Sequence, residues 1–173
     1  GRVARGGFPD LHVLGGYNLI DGYAGLAPRK LLDYRTPNAL RVAGVRYAHA
    51  DFLAGASIPG AEPLPKRWFR LPAPLPRARL VGDIRQSSDP RVDLAQIDVD
   101  RVALIERAVP YADEGAATKI EILGAAGPSG SASIARDVPG EIIVNTNAVD
   151  RQLLVVSESF NDGWTVAIDG NSS

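Results

Sequence analysis

Past Arg101 the chain is cut into short apolar runs: Arg101–Glu106, Thr118–Leu123, Ser131–Arg136, Glu141–Asn145, Gln152–Ser157 and Trp164–Ile168. None exceeds six residues. Gly, Pro, Asn or Asp fills most of the gaps between them, the spacing of strands joined by tight turns. Thr118–Leu123 alternates cleanly, with Ile120 and Ile122 on one face and Lys119 and Glu121 on the other. Such a pattern predicts a mainly β fold, an antiparallel, jelly-roll-like β-sandwich rather than an α/β sheet. With 18 Gly and 13 Pro among 173 residues, turns and short elements are favoured over long helices.

The N-terminal half reads differently. Ala27–Tyr34 and Pro37–Ala43 suggest short helices, the second capped by Thr36, opened by Pro37, given an apolar side by Leu40 and Ala43, and closed by Gly44. Val45–Ala48 and Arg67–Leu71 are short strands, Ala54–Pro65 is a loop, and Pro72–Pro76 is a stiff, polyproline-like spacer. Asp89 caps a third helix, opened by Pro90 and reaching Ile97, with Val92, Leu94 and Ile97 as buried positions. Residues 1–65 are therefore expected to form an irregular, helical segment packed on a β-rich domain of residues 66–173.

Composition excludes several functions. A net charge of −1 gives no electrostatic pull toward nucleic acid, so no nucleic-acid partner is expected. Zero Cys removes disulfides, thiolate metal sites and Cys nucleophiles. Zero Met, even at position 1, reads as an internal or processed piece of a longer chain. The longest uncharged stretch, Ile122–Ala135, is rich in Gly, Ser and Pro and too short to span a bilayer.

Chemical motifs are sparse. His12 and His49 lack ligand spacing; Asp98 and Asp100 read as solvated strand-edge carboxylates, and no metal or cofactor is expected. Gly127–Ser131 fails the G-x-S-x-G pattern, and no phosphate-binding glycine motif occurs. Glu121, Glu158 and Asp162 could pair in space as hydrolase carboxylates, an assignment open to any acid-bearing domain. Tyr17, Tyr23, Trp68 and Trp164 are the candidate ligand-binding residues, since exposed aromatic faces stack on sugar rings, although core anchoring is the preferred reading for Trp164.

Several segments, in order, resemble one family. Gly22–Arg29 and Asn38–Tyr47 look like the "GY…P" and "LLGVRY" stretches of YfhO-like bacterial membrane proteins, and Leu75–Val81 is similar to their "LPRA" segment. Leu153–Gly170, LLVVSESFNDGWTVAIDG, resembles the family's "LLVLSESYYPGWKAYVDG". Phe160–Asp162 departs from it by replacing an aromatic-Pro turn. The resemblance implies a non-catalytic, extracytoplasmic accessory domain, periplasmic or cell-surface and tethered to the membrane. Its parent would be a polytopic protein related to lipid-linked-sugar glycosyltransferases, with the catalytic carboxylates elsewhere in that parent. Implied partners are the parent's own transmembrane region and a glycan or lipid-linked sugar. Because the family pattern continues beyond Asp169–Ser173 with further strands, Trp164–Ile168 is expected to present an unpaired edge, open to an edge-strand dimer or leaving a disordered C-terminus. The alternative is a secreted carbohydrate-binding or cell-surface interaction module.

Overall fold

The computed structural model describes residues 2–4, 18–19, 32–105, 130–158 and 163–172. The expected strand Thr118–Leu123 and most of the expected helix Ala27–Tyr34 lie outside them. Within them the protein is mainly β, built from several small sheets with no closed barrel among the described residues.

The largest sheet has five strands: β1 (Arg2–Ala4), β2 (Asn18–Leu19), β3 (Val45–His49), β4 (Glu62–Leu64) and β5 (Trp68–Arg70), in the order β2-β1-β3-β5-β4. Helix α1 (Pro37–Val42) feeds β3 and starts as its sequence dictates. Thr36 is extended, its Oγ1 accepts from the Ala39 N–H at 3.4 Å, and Pro37 occupies the first turn, where an N–H would have no partner. Gly44, at φ +69, then turns the chain into β3; a Cβ there would come within 3.1 Å of the Leu75 carbonyl oxygen.

Helix α1 lies between the two apolar clusters. Leu40 and Ala43 pack with Val45, Ala48, Leu53, Ile58 and Leu71, whereas Ala39 packs with Leu94 and Val99. Full burial of Leu40, Val45 and Val99 is worth about 1.5–3 kcal/mol per side chain, which makes α1 the element that ties the sheet to the segment around Leu94 and Val99. Asn38 adds a polar tie, its Nδ2 donating to the Leu94 and Ile97 carbonyls at 2.9 and 3.1 Å. Helix α2 (Ala50–Leu53) continues directly from β3 and ends on Ala54 at φ +47.

Beyond β5 the chain forms smaller sheets. Strand β6 (Ala78–Val81) pairs antiparallel with β11 (Leu153–Val156), Ala78 opposite Val156 and Val81 opposite Leu153. Strands β7 (Asp83–Gln86) and β8 (Val102–Ile105) are parallel, connected by α3 (Pro90–Asp93) and a 3₁₀ turn over Leu94–Gln96. The hairpin β9 (Ser131–Val138) and β10 (Glu141–Asn147) turns at Gly140 and carries a register shift between Ile143 and Val144; β9 lies against β6. Strands β12 (Ala167–Ile168) and β13 (Asn171–Ser172) pair across a turn with positive φ at Asp169 and Gly170.

Several expectations are corrected. The pairing is mixed rather than antiparallel throughout: β1 runs parallel to β2 and β3, and β7 to β8. A parallel pair needs a crossover, and α3 supplies it. The loop Ala54–Pro65 contains β4, where Pro63 is tolerated because the strand lies at the sheet's edge. Ala73, at φ +44, interrupts the polyproline-like spacer. Val92 is 57% exposed while Leu94 takes the buried position in that turn. Of Trp164–Ile168, only Ala167–Ile168 is strand. Among the described residues no helix is long and apolar enough to cross a membrane.

Candidate functional site: an arginine-rich junction

Leu75–Val81 leads into β6 with an alternating pattern. Ala78 and Leu80 are buried, while Arg77 and Arg79, two apart, share the opposite side of the strand. Arg77 is braced by two carboxylates, Nη1 on Asp137 of β9 and Nη2 on Glu158 just past β11. Arg2 reaches the same carboxylate from the far end of the chain, its Nη2 3.4 Å from Glu158 Oε2 and 2.6 Å from the Ser157 carbonyl.

Ser157 is the hinge of this junction. Its N–H donates to the Arg77 carbonyl at 2.8 Å, continuing the β6–β11 ladder, and its Oγ donates to the Val42 carbonyl at 2.6 Å. The last turn of α1 and the end of β11 are thereby locked together. Alongside, Arg41 donates through Nη2 to both Asp100 oxygens at 2.7 and 2.8 Å and through Nε to the Ala73 carbonyl at 2.9 Å.

Burial acts on two of these cations. It pushes the Arg2 guanidinium below its ordinary value, opposed by Glu158 and reinforced by Arg77. Burial lowers Arg79 as well, opposed by Asp100. Arg79 Nε and Nη1 and Arg77 Nε are buried without a hydrogen-bond partner.

What the junction does with its charges is brace remote segments against one another. Ser157 Oγ is committed to a backbone carbonyl, and the buried Ser87 donates instead to Asp93 Oδ2 at 2.6 Å, so neither is paired with a histidine base. Among the described residues no three His, Asp or Glu side chains gather to hold a metal ion. Asp98 and Asp100 lie in a turn, not on a strand edge: Asp98 Oδ1 accepts from the Asp100 N–H at 3.1 Å, and Asp100 serves Arg41.

Of the aromatic residues singled out in the sequence, Tyr17 and Tyr23 lie outside the described residues, as do Glu121 and Asp162. Trp68 is half-buried on β5, its ring edge-on to His49 at 5.3 Å and 74°. Trp164 is 38% exposed, with exposed Val166 and Ile168 after it, and is not a core anchor. The arginine junction escapes a reading of the sequence because its members are up to 156 positions apart. The signal that could have found it is the alternation of Arg77 and Arg79 with Ala78 and Leu80.

No protein-family model, curated protein or solved structure matches the chain.

Proposed function

We propose that this chain is a non-catalytic, extracytoplasmic accessory domain of a polytopic membrane protein of the YfhO-like, glycosyltransferase-related kind, and that it holds a glycan or polymer acceptor near the membrane-embedded site. One observation carries the reading. Three of the segments that resemble that family, Asn38–Tyr47, Leu75–Val81 and the start of Leu153–Gly170, are remote in sequence yet meet in the junction around Ser157. Segments of one motif set are expected to converge in the fold, and these three do so through shared hydrogen bonds. The same reading takes β6–β11 and β9–β10 as portions of a jelly-roll-like sandwich, whose second sheet would stack ~10 Å away.

The test is the reading frame upstream of Gly1, which should encode a series of apolar segments of ~20 residues with basic cytoplasmic loops. A frame without them overturns the membrane assignment. For the acceptor, a glycan array is probed with the wild-type domain and with Trp68→Ala. Binding lost in the variant supports a sugar-stacking role for Trp68, and absence of binding by either protein removes the glycan version.

A further inference from the structure

We propose that β10 is a dimerisation edge, which pairs antiparallel with β10 of a second copy of this chain about a two-fold axis at Val144. The inference stands on the β9–β10 hairpin and does not depend on the membrane reading.

Among the described residues β10 pairs with β9 alone, and β9 lies against β6, so β10 is the outer strand. Every side chain of Glu141–Asn147 is exposed or half-buried. An outer strand offers a row of backbone N–H and C=O groups, which proteins blunt with Pro, Lys, inward-pointing charges or a bulge in the edge strand itself. β10 uses none of these. Its two half-buried positions are Ile142 and Val144, and its one charged residue is the exposed Glu141. The hairpin does contain a bulge, but Ile143 faces Arg136 and Val144 faces Ile134, so the extra residue is Ala135 on β9 and β10 keeps its regular repeat.

The strand itself specifies a second copy as the occupant. Only one antiparallel register uses all seven residues: Glu141 meets Asn147, Ile142 meets Thr146, Ile143 meets Asn145, and Val144 meets its own counterpart. No like charges face each other in it, and Glu141 is already paired within its own hairpin with Arg136 at 2.9 Å. Exposed apolar residues follow the same axis. Ile143 lies beside it, and the two-fold carries Val149, two residues past β10, toward the other copy's hairpin turn and its exposed Val138.

The experiment is sedimentation of the full chain over a concentration series, with Asn147→Glu and Asn147→Lys, both at an exposed position. Wild type is expected to show a reversible monomer–dimer equilibrium. Asn147→Glu sets like charges against Glu141 twice per dimer and should weaken it about threefold to tenfold, whereas Asn147→Lys should tighten it. Because the chain has no Cys, disulfides report the register. A mixture of Ile143→Cys and Asn145→Cys should cross-link on oxidation, the two positions being directly opposite at about 4.5–5.5 Å between Cα atoms; Ile143→Cys alone should not. A wild type that stays monomeric up to about 1 mM overturns the proposal. So does a dimer that ignores both Asn147 substitutions or cross-links as readily through Ile143→Cys alone.

Discussion

Ser157 Oγ donates to the carbonyl oxygen of Val42 at 2.6 Å across 115 positions of chain. That carbonyl belongs to the last residue of α1, where the helix can no longer supply a donor of its own. Ser157→Ala deletes the donor and leaves the acceptor half-buried without a partner, so the loss exceeds that of an average hydrogen bond. The expected destabilisation is about 1–2 kcal/mol in urea unfolding. Ser157→Thr, which keeps the hydroxyl, should recover much of it; equal loss in both variants would mean packing, not this bond, is what matters.

Glu158 should behave as a shared brace. Because Arg77 and Arg2 both converge on it, Glu158→Gln weakens two contacts at once. The site is partly open to solvent, so the cost is expected near ~1 kcal/mol and should shrink as salt is raised. A double-mutant cycle with Arg77→Met measures the coupling directly. Coupling indistinguishable from zero at low salt would show that the ion pair contributes nothing to stability.

The elements legible in the sequence are those whose chemistry is local. Thr36, Pro37 and Gly44 bound α1, and Asp89 and Pro90 open α3, because a cap, a fixed φ and a left-handed turn are properties of single residues. Strands β8 to β11 are likewise visible as β-branched runs. Pairing is another matter. Nothing within Asp83–Gln86 or Val102–Ile105 encodes that they run parallel; that comes from α3 acting as a crossover, a relation between elements. Pro63 argues against a strand and is tolerated only because β4 is an edge. The junction is the extreme case, since Arg2, Arg77, Asp137 and Glu158 gain meaning only once four separate segments are folded together.

Burial gives Arg79 a stability signature of its own. Its folded-state pKa is lowered by burial, so folding disfavours the charged form. For a base shifted in that direction the penalty is present at every pH below the folded-state value and is relieved only as pH rises through it, far above neutrality. Arg79→Met should therefore be as stable as wild type or up to about 2 kcal/mol more stable. The difference should be flat between about pH 6 and 9. A loss of stability on substitution, or a difference that changes across that range, would show that the guanidinium has a partner in the native state.

Lys66 and Arg67 hold φ of +58 and +61 in the turn closing β4 onto β5, where the Trp68 N–H donates to the Pro65 carbonyl at 3.4 Å. Each left-handed L-residue costs roughly 1 kcal/mol that glycine avoids, partly offset by glycine's greater freedom in the unfolded chain. Lys66 is the cleaner position, since Arg67 also reaches Asp51 at 3.0 Å. Lys66→Gly should raise stability by about 0.5–1 kcal/mol, read as an increased urea midpoint at unchanged slope. A decrease would mean that the lysine side chain offsets its own backbone strain.

Two glycines flanking β9 should fail for opposite reasons. Gly130 donates its N–H to Gln152 Oε1 at 2.9 Å, and a Cβ there would press on the Asn147 carbonyl and lie 2.9 Å from Ala148 Cα. Gly140 has open space around it but a φ of +84. At Gly130 the cost is steric, so Ala is expected to destabilise by about 1–3 kcal/mol and the larger Asn by more. At Gly140 the cost is conformational, so Ala should cost about 1 kcal/mol and Asn, which enters the left-handed region readily, less. Urea unfolding of the four variants checks the crossover. Asn outperforming Ala at Gly130, or Ala outperforming Asn at Gly140, would mean the hairpin relaxes around these positions instead of being held by them.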